Sequence, residues 1–270
     1  EDSCLYVSNV GSDFEKFYGE WMKHNGCSTE GLQYILPHTQ YTELVYGEEG
    51  LHSESSIYGE QEEKDVEKLD VISGEIIASY CNIETKGIYI EVSEQSEFWD
   101  QLALIRKKTD AKIMWEIPTS AAMTQNRHKK VLECIQKVDM YSINYPEAKS
   151  LFGVITEEEA VEAIKEVGIP CFFRLGSKGA CMIVNEEVAF AKSLTVGDIV
   201  DTTGCGNCST AAAMYAWCEG NSLYQIALMA NISAAYNLLQ FGPYPEVTKE
   251  VRKQAERILA RRIEAMQKSL

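Results

Sequence analysis

The chain has 270 residues, of which 45% are hydrophobic and 24% charged, so it can bury a large core and lacks the composition of a disordered protein. Its 41 acidic and 25 basic residues give a formal charge of −16, which disfavours nucleic acid and anionic membrane surfaces as partners. No stretch approaches the roughly 18 consecutive apolar residues of a transmembrane helix, and no secretory signal opens the chain, so we expect a cytoplasmic protein.

Nine cysteines are scattered through the sequence. Their odd number and their apolar surroundings in a large domain are typical of reduced core thiols rather than of a disulfide framework.

The predicted elements begin with one β-α unit, because residues 5–31 contain a strand, a Gly turn, an amphipathic helix and a Gly stop. Between about residues 32 and 80, short bursts of alternating apolar and polar residues, interrupted by GEEG, favour small antiparallel strands over long helices. We therefore predict one domain over residues 1–270, with an inserted β-sheet lid at about 32–80.

Strands and helices alternate after the lid, which favours a parallel sheet covered by helices. The predicted strands are GIYIEV, AKIMWEI and DMYSIN, followed by IPCFFRLG, ACMIV and VAFAK. The predicted helices lie near 95–108, 119–137, 204–218, 222–240 and 246–269. The sequence thus predicts an α/β protein.

The segment DTTGCGNCSTAAAMYAW, residues 201–217, joins a Gly-rich turn to an Ala-rich helix. The first backbone N–H groups of a helix have no partner within it, and the helix dipole adds partial positive charge there. The turn at Gly204, Cys205 and Gly206 therefore suits an oxyanion. The alternative is that the glycines only allow a tight strand-to-helix turn.

In SINYPEAKSLFG, Asn144 and Glu147 directly follow a predicted strand. The carboxyl ends of parallel strands are where α/β proteins bind ligands, and this polar pair could hold hydrated Mg²⁺ and phosphate oxygens. The alternative is a helix cap, with Asn144 as N-cap and Glu147 three residues later.

The segment LGSKGACMIV predicts a strand, a tight turn and a second strand. Ser177 and Lys178, flanked by Gly176 and Gly179, could approach the phosphates of a nucleotide. By itself the segment is a hairpin turn.

Taken together, these segments resemble the ribokinase-like family of carbohydrate and nucleoside kinases, the PfkB family. NYPEAKSLFG looks like the N-x-x-E segment of the family, RLGSKGA like its nucleotide-side turn, and DTTGCGN like its D-T-x-G-x-G-D signature. ANISAAYNLLQFGPYP is similar to the segment that lines the adenine pocket, and VSNVGSDF and WMKHNGCSTEGL to the first conserved β-α unit.

The resemblance implies a three-layer α/β/α sandwich with a small β-sheet lid that closes on substrate and often forms a homodimer interface. It also implies ATP, Mg²⁺ and transfer of the γ-phosphoryl group to a hydroxyl of a sugar or nucleoside. The implied roles are an anion hole at Gly204, Cys205 and Gly206; the base position at Asn207; Mg²⁺ and phosphate at Asp201, Asn144 and Glu147; ATP at Ser177, Lys178 and Gly179; and adenine at Asn231 and Gly242.

The sequence departs from the family pattern in three places. Asn207 stands where the family has its catalytic base, and an amide cannot accept a proton, a loss that typically costs ~10²–10⁴-fold in rate. The segment WEIP replaces an Asp-x-Asn-x-Arg segment, so Glu116 keeps a carboxylate but the arginine is absent. The chain also begins at Glu1, after the point where the family places its sugar-binding Asp and Gly-Gly pair, and we expect N-terminal sequence to be missing.

These departures leave three hypotheses open. The favoured one is an atypical small-molecule kinase, and the second is a non-catalytic nucleotide- or sugar-binding regulatory homologue, which Asn207 favours. The third is a redox protein, because Cys205 and Cys208 form a C-x-x-C motif at a helix N-terminus. A zinc site is disfavoured, since no second Cys/His pair has ligand spacing.

Overall fold

The computed structural model describes residues 4–46, 52–69 and 71–268. Backbone contacts divide the chain into two compact units. The first comprises Glu1–Cys81 and Asp100–Ile105, and the second comprises Asn82–Trp99 and Arg106–Leu270.

The first unit begins with the predicted strand, turn and helix. Its elements are β1 (Ser8–Gly11), a π-helical turn (Glu15–Gly19) that continues into α1 (Glu20–His24), and β2 (Leu32–Leu36). β2 pairs in parallel with β1. A small core forms around Val10, Phe14, Met22 and Leu32.

The prediction of antiparallel strands over 32–80 is only partly correct. β3 (Thr42–Tyr46) and β4 (His52–Ser56) form an antiparallel pair, whereas the GEEG turn lies outside the described residues. From residue 60 onward the chain forms α2 (Glu60–Leu69) and α3 (Gly74–Tyr80) instead of strands.

Two local causes explain these helices. α2 is rich in Glu and Lys, which are good helix formers. Lys64 also lies 3.6 Å from Glu60 at the i,i+4 spacing that supports a helix. Ser73 caps α3 by accepting a hydrogen bond from the Ile76 N–H, so the apparent alternation in LDVISGEII is the start of a helix.

The second unit is built on a six-stranded sheet that contains every strand predicted after the lid. The strands are β5 (Gly87–Ile90), β6 (Lys112–Glu116), β7 (Met140–Asn144), β8 (Cys171–Arg174), β9 (Gly179–Val184) and β10 (Glu187–Lys192). Their spatial order is β10-β9-β8-β7-β6-β5. β5 to β8 are parallel, and β9 and β10 are added by antiparallel pairing.

Helices cover both faces of this sheet, which confirms the three-layer α/β/α fold. They are α5 (Thr119–Met123), α6 (His128–Ile135), α7 (Tyr145–Phe152), α8 (Glu157–Val167), α9 (Cys205–Cys218), α10 (Leu223–Asn237) and α11 (Lys249–Gln267), whereas α4 (Phe98–Arg106) is divided between the two units. The helix predicted at 119–137 is interrupted at Thr124, whose backbone is extended. None of the helices within the described ranges is long and apolar enough to cross a membrane.

Side chains alternate between the two faces along each strand. Met114, Met140 and Phe172 point to one face and pack against α9 and α10, with α11 beyond them. Phe173 points to the other face and contacts Tyr145 at the start of α7. Glu116 and Arg174 therefore share the face that α9 covers.

The loop after β5 is held by hydrogen bonds to its backbone and by one buried ion pair. The Trp115 and Trp99 indole N–H groups donate to the carbonyls of Val92 and Ser93, each at 2.9 Å. The Glu94 side chain is fully buried and receives two hydrogen bonds of 2.6 Å from the guanidinium of Arg127. Burial opposes ionisation of Glu94, but Arg127 outweighs it, so the pKa of this carboxyl is lowered.

We expect Arg127→Ala to lower the free energy of unfolding by about 3 kcal/mol, because it leaves a buried carboxylate without its partner. Urea denaturation at pH 7 measures this. The matched control is Lys86→Ala, which removes an exposed ion pair with Glu219 in the same unit and should have little effect. Equal losses in the two variants would contradict the buried-pair account.

A second buried charged cluster lies at the carboxyl ends of β6 to β8. Arg174 Nη2 donates to Glu116 Oε1 and lies 3.7 Å from Glu147 Oε2. Glu147 also accepts hydrogen bonds from the Thr119 hydroxyl at 2.7 Å and from the Asn144 N–H at 2.9 Å. Burial dominates at Glu147 and raises its pKa, whereas the two carboxylates raise the pKa of Arg174 despite its burial.

The raised pKa of Glu147 predicts a pH-dependent contribution to stability. The folded state binds this proton more tightly than the unfolded state, so the contribution is present at low pH and is lost as the pH rises above the ordinary value of 4.5. Glu147→Gln removes this loss. Urea unfolding between pH 4 and pH 7 should show the variant gaining stability relative to wild type as the pH rises.

Glu159 is the matched control, because it occupies the same capping-box position in α8. The N–H groups of Ile155 and Thr156 lower its pKa, so Glu159→Gln should lose relative stability as the pH rises. If both variants change in stability relative to wild type in the same direction as the pH rises, the raised pKa of Glu147 is refuted.

Candidate active site

The predicted turn before α9 is a tight turn that leads directly into the helix. Gly204 is left-handed, with φ of +77°, and α9 begins at Cys205. The Cys205 N–H donates to Thr202 and the Cys208 N–H donates to Gly204. The N–H groups of Gly206 and Asn207 have no acceptor in the described part of the chain, so the start of the helix presents two donors.

A side chain at position 206 would displace the guanidinium of Arg174. A Cβ atom at this position would lie 2.3 Å from Nη1 of Arg174. The guanidinium therefore lies directly against the first turn of α9. Two atoms of the buried cluster, Glu116 Oε2 and Arg174 Nε, have no hydrogen-bond partner among the described residues.

Asp201 and Asn237 fix the loop that leads into α9. Asp201 Oδ1 accepts hydrogen bonds from the N–H and hydroxyl of Thr203, at 3.0 and 2.9 Å. Asn237 Nδ2 donates to the Thr203 carbonyl at 2.9 Å and lies 3.4 Å from Cys205 Sγ. Asp201 Oδ2 makes no hydrogen bond with the described residues, so one carboxylate oxygen remains for a ligand.

Asn207 points away from this buried framework and is exposed. Its Nδ2 donates to Oε2 of Glu91 at 3.2 Å. Glu91 directly follows β5 and is exposed as well. The structure therefore brings a carboxylate to the residue at the predicted base position.

Asn144 and Glu147 form a capping box at the start of α7, which was the alternative interpretation of this pair. Glu147 is 3% exposed, and each of its oxygens already accepts a hydrogen bond. These contacts do not direct it to an open metal site, and no contact joins either residue to Asp201. Within the described ranges, no group of three or more His, Cys, Asp or Glu side chains is placed to hold a metal ion.

The residues predicted beside ATP meet around β10. Ser177 and Lys178 lie in a 3₁₀ turn (Gly176–Lys178), and a Cβ at Gly179 would lie 2.1 Å from the Ala191 carbonyl. Buried Asn231 donates to that same carbonyl at 2.7 Å. The turn and α10 are thus joined through one residue of β10.

Lys178 and Gly242, the remaining residues predicted on the nucleotide side, lie in exposed positions. The Lys178 ammonium pairs with Glu157 at 2.6 Å on the surface. Gly242 lies after α10 with φ of +72°, a conformation that favours glycine. No contact joins Gly242 to the turn that contains Lys178.

The two thiols of the C-x-x-C motif are directed to α10. Cys205 Sγ donates to the Ala234 carbonyl, and Cys208 Sγ lies 2.9 Å from the Ser233 hydroxyl. Burial raises the pKa of both thiols. A redox motif requires a lowered thiol pKa, so the structure argues against the redox hypothesis.

Three residues of this site were missed in the sequence. Arg174 ends a parallel strand and Glu91 directly follows one, the same kind of signal that singled out Asn144. Asn237 lies in the segment similar to the adenine pocket but instead holds the loop before α9. The charge of Arg174 at the end of an otherwise apolar strand was the available clue.

Comparison with known proteins supplies relatives for this arrangement. A ribokinase from Arabidopsis thaliana is 30% identical over 122 residues, which are 43% of this chain and 32% of the relative. The chain thus spans about a third of the length of this curated relative.

Solved structures share the fold over almost the whole chain. Adenosine kinase from Sinorhizobium meliloti has a TM-score of 0.72 at 18% identity, covering 93% of this chain and 77% of its own. Fructokinase from Vibrio cholerae, solved with fructose, ADP and calcium ion, has a TM-score of 0.68 at 16% identity, covering 93% and 84%. These likenesses establish a ribokinase-like fold.

A family model also matches this chain, the model of the pfkB family carbohydrate kinases. It spans residues 3–249, including the sheet, the turn before α9, all of α10 and the loop that follows it. The chain therefore belongs to the pfkB family of carbohydrate kinases.

Proposed function

We propose that the protein transfers the γ-phosphoryl group of ATP to a hydroxyl of a sugar or nucleoside. The observation that carries this proposal is the start of α9, where left-handed Gly204 precedes Gly206 and Asn207, whose N–H groups have no acceptor among the described residues. Such a terminus stabilises phosphate charge through its donors and its dipole. The ribokinase, adenosine kinase and fructokinase relatives support the same class of reaction.

The nucleotide would lie on the side of β10. Ser177, Lys178 and Gly179 would contact its phosphates, and the exposed ammonium of Lys178 can leave Glu157 for a phosphate oxygen. Asn231 is buried and would act through the Ala191 carbonyl that it holds, beside the adenine. Gly242 would allow the loop after α10 to approach the same ring.

Of the three residues predicted to bind Mg²⁺, Asp201 is the one that the structure favours as a ligand. Asp201 has an oxygen without a hydrogen bond among the described residues, whereas the oxygens of Glu147 are occupied and buried. Mg²⁺ keeps several waters and binds through one or two carboxylates and substrate phosphates, so Asp201 alone is sufficient on the protein side. When bound, the ion would neutralise phosphate charge.

Asn207 would position the acceptor. Its Nδ2 donates to Glu91, and a carboxylate accepts but does not donate, so the amide Oδ1 is not used by Glu91 and can accept a hydrogen bond from a substrate hydroxyl. Phosphoryl transfer depends mainly on positioning and charge stabilisation. An amide at this position is therefore compatible with catalysis.

Gly206→Ala tests the phosphate role of the turn. The added Cβ would overlap Arg174 Nη1 and displace the first turn of α9, so we expect MgATP affinity to fall about tenfold, which is about 1.4 kcal/mol. Isothermal titration calorimetry on the full-length protein measures it, together with ADP release across a panel of sugars and nucleosides.

Gly220→Ala is the control, because it places the same methyl group just beyond the opposite end of α9, where nothing lies within 4 Å; its φ of +76° strains the backbone there, so it reports what a local loss of stability alone does to binding. It should leave MgATP affinity close to that of wild type. An unchanged affinity in Gly206→Ala, or no MgATP binding by wild type, would count against the proposed site.

Asn207 also favours a second candidate, a non-catalytic nucleotide- or sugar-binding regulatory protein. This candidate predicts MgATP binding without acceptor-dependent ADP release in wild type. The kinase proposal predicts both. Turnover with any acceptor of the panel therefore separates the two.

A further inference from the structure

We propose that Glu91 is the proton acceptor of the phosphoryl transfer and that it replaces the base which position 207 lacks. The inference rests on the proposed function and adds a catalytic residue to it. It starts from one contact, the hydrogen bond of 3.2 Å from Asn207 Nδ2 to Glu91 Oε2.

The topology places this carboxylate at the ligand-binding edge of the sheet. β5 is parallel to β6, and Ile90 is paired with Trp115, so Glu91 and Glu116 end adjacent strands on the same edge. Asn144 ends the next strand at that edge. In open α/β sheets, this carboxyl edge is where ligands bind.

The backbone that carries Glu91 is held in place immediately after the residue. The carbonyls of Val92 and Ser93 accept indole N–H groups, and the two indoles meet edge to face at 4.9 Å. Glu94 is buried in its ion pair with Arg127. A catalytic group needs this kind of support, because a small displacement of a proton acceptor lowers its rate contribution steeply.

Both side chains of the pair are exposed, while their backbones are fixed on different elements. Because Oδ1 and Nδ2 of Asn207 belong to the same amide group, a substrate hydroxyl that binds beside this amide can reach the carboxylate of Glu91. The amide can orient the hydroxyl but cannot take its proton, whereas the carboxylate can. The two residues divide the functions that one aspartate would combine.

The step balances as follows. The acceptor oxygen bonds to the γ-phosphorus, and the bond from that phosphorus to the bridging oxygen breaks, so that ADP leaves with the electron pair. The hydroxyl proton passes to an oxygen of Glu91 and from there to water. A carboxylate is a sufficient acceptor, because kinases of other folds use an aspartate for the same purpose.

The test is a double-mutant cycle in the full-length protein, measured as acceptor-dependent ADP formation. Glu91→Gln should lower kcat by ~10²–10⁴-fold while MgATP affinity by calorimetry stays within about twofold of wild type. Asn207→Asp supplies a second carboxylate, so adding Glu91→Gln to it should cost less than about tenfold. Glu84→Gln, a carboxylate in the loop before β5, is the control and should retain full activity.

The outcomes separate this inference from the proposed function. If wild type is active and Glu91→Gln keeps more than half of its kcat, or if Asn207→Asp fails to reduce the effect of Glu91→Gln, Glu91 is not the base although the kinase proposal stands. If wild type is inactive and Asn207→Asp is active, the chain is a kinase scaffold without a base, and the role of Glu91 is refuted. If neither is active, the kinase proposal itself fails.

Discussion

The guanidinium of Arg174 is the constraint on which the site depends. It joins Glu116 of β6 to Glu147 of α7 and lies against Gly206 at the start of α9. One buried cation thus connects two strands and two helices. Because a buried carboxylate without a partner is costly, the strand ends and the first turn of α9 are fixed relative to each other by the same charge.

Unlike this buried cluster, Asn207 and Glu91, the two residues proposed to act on the acceptor, are exposed. The N–H groups of Gly206 and Asn207 have no acceptor among the described residues, and the Asn207 side chain donates to Glu91, which directly follows β5. Phosphoryl transfer requires precise positioning and charge stabilisation more than covalent chemistry by the protein. The buried charges supply the positioning, and the exposed amide and carboxylate are available to the acceptor.

Periodicity predicted the six strands of the sheet and the helices α9 to α11, because strand alternation and helical spacing are local patterns that depend little on partners elsewhere in the chain. The helices at 60–80 were missed because Ser73, a cap, resembles the polar member of an alternating strand. The Asn144 and Glu147 pattern permits both a cap and a ligand site, and only the hydrogen bonds of Glu147 distinguish them. Pairing between distant residues, as in Arg174 with Glu116 or Asn207 with Glu91, depends on which strands are neighbours, and sequence spacing does not contain it.

The most direct measurement of the central claim is transfer of labelled γ-phosphate from ATP to an acceptor by the full-length protein in the presence of Mg²⁺. The account predicts label in a sugar or nucleoside, with one ADP formed for each acceptor phosphorylated. Label that appears only in inorganic phosphate, or MgATP that binds and is recovered intact with every acceptor, would contradict it.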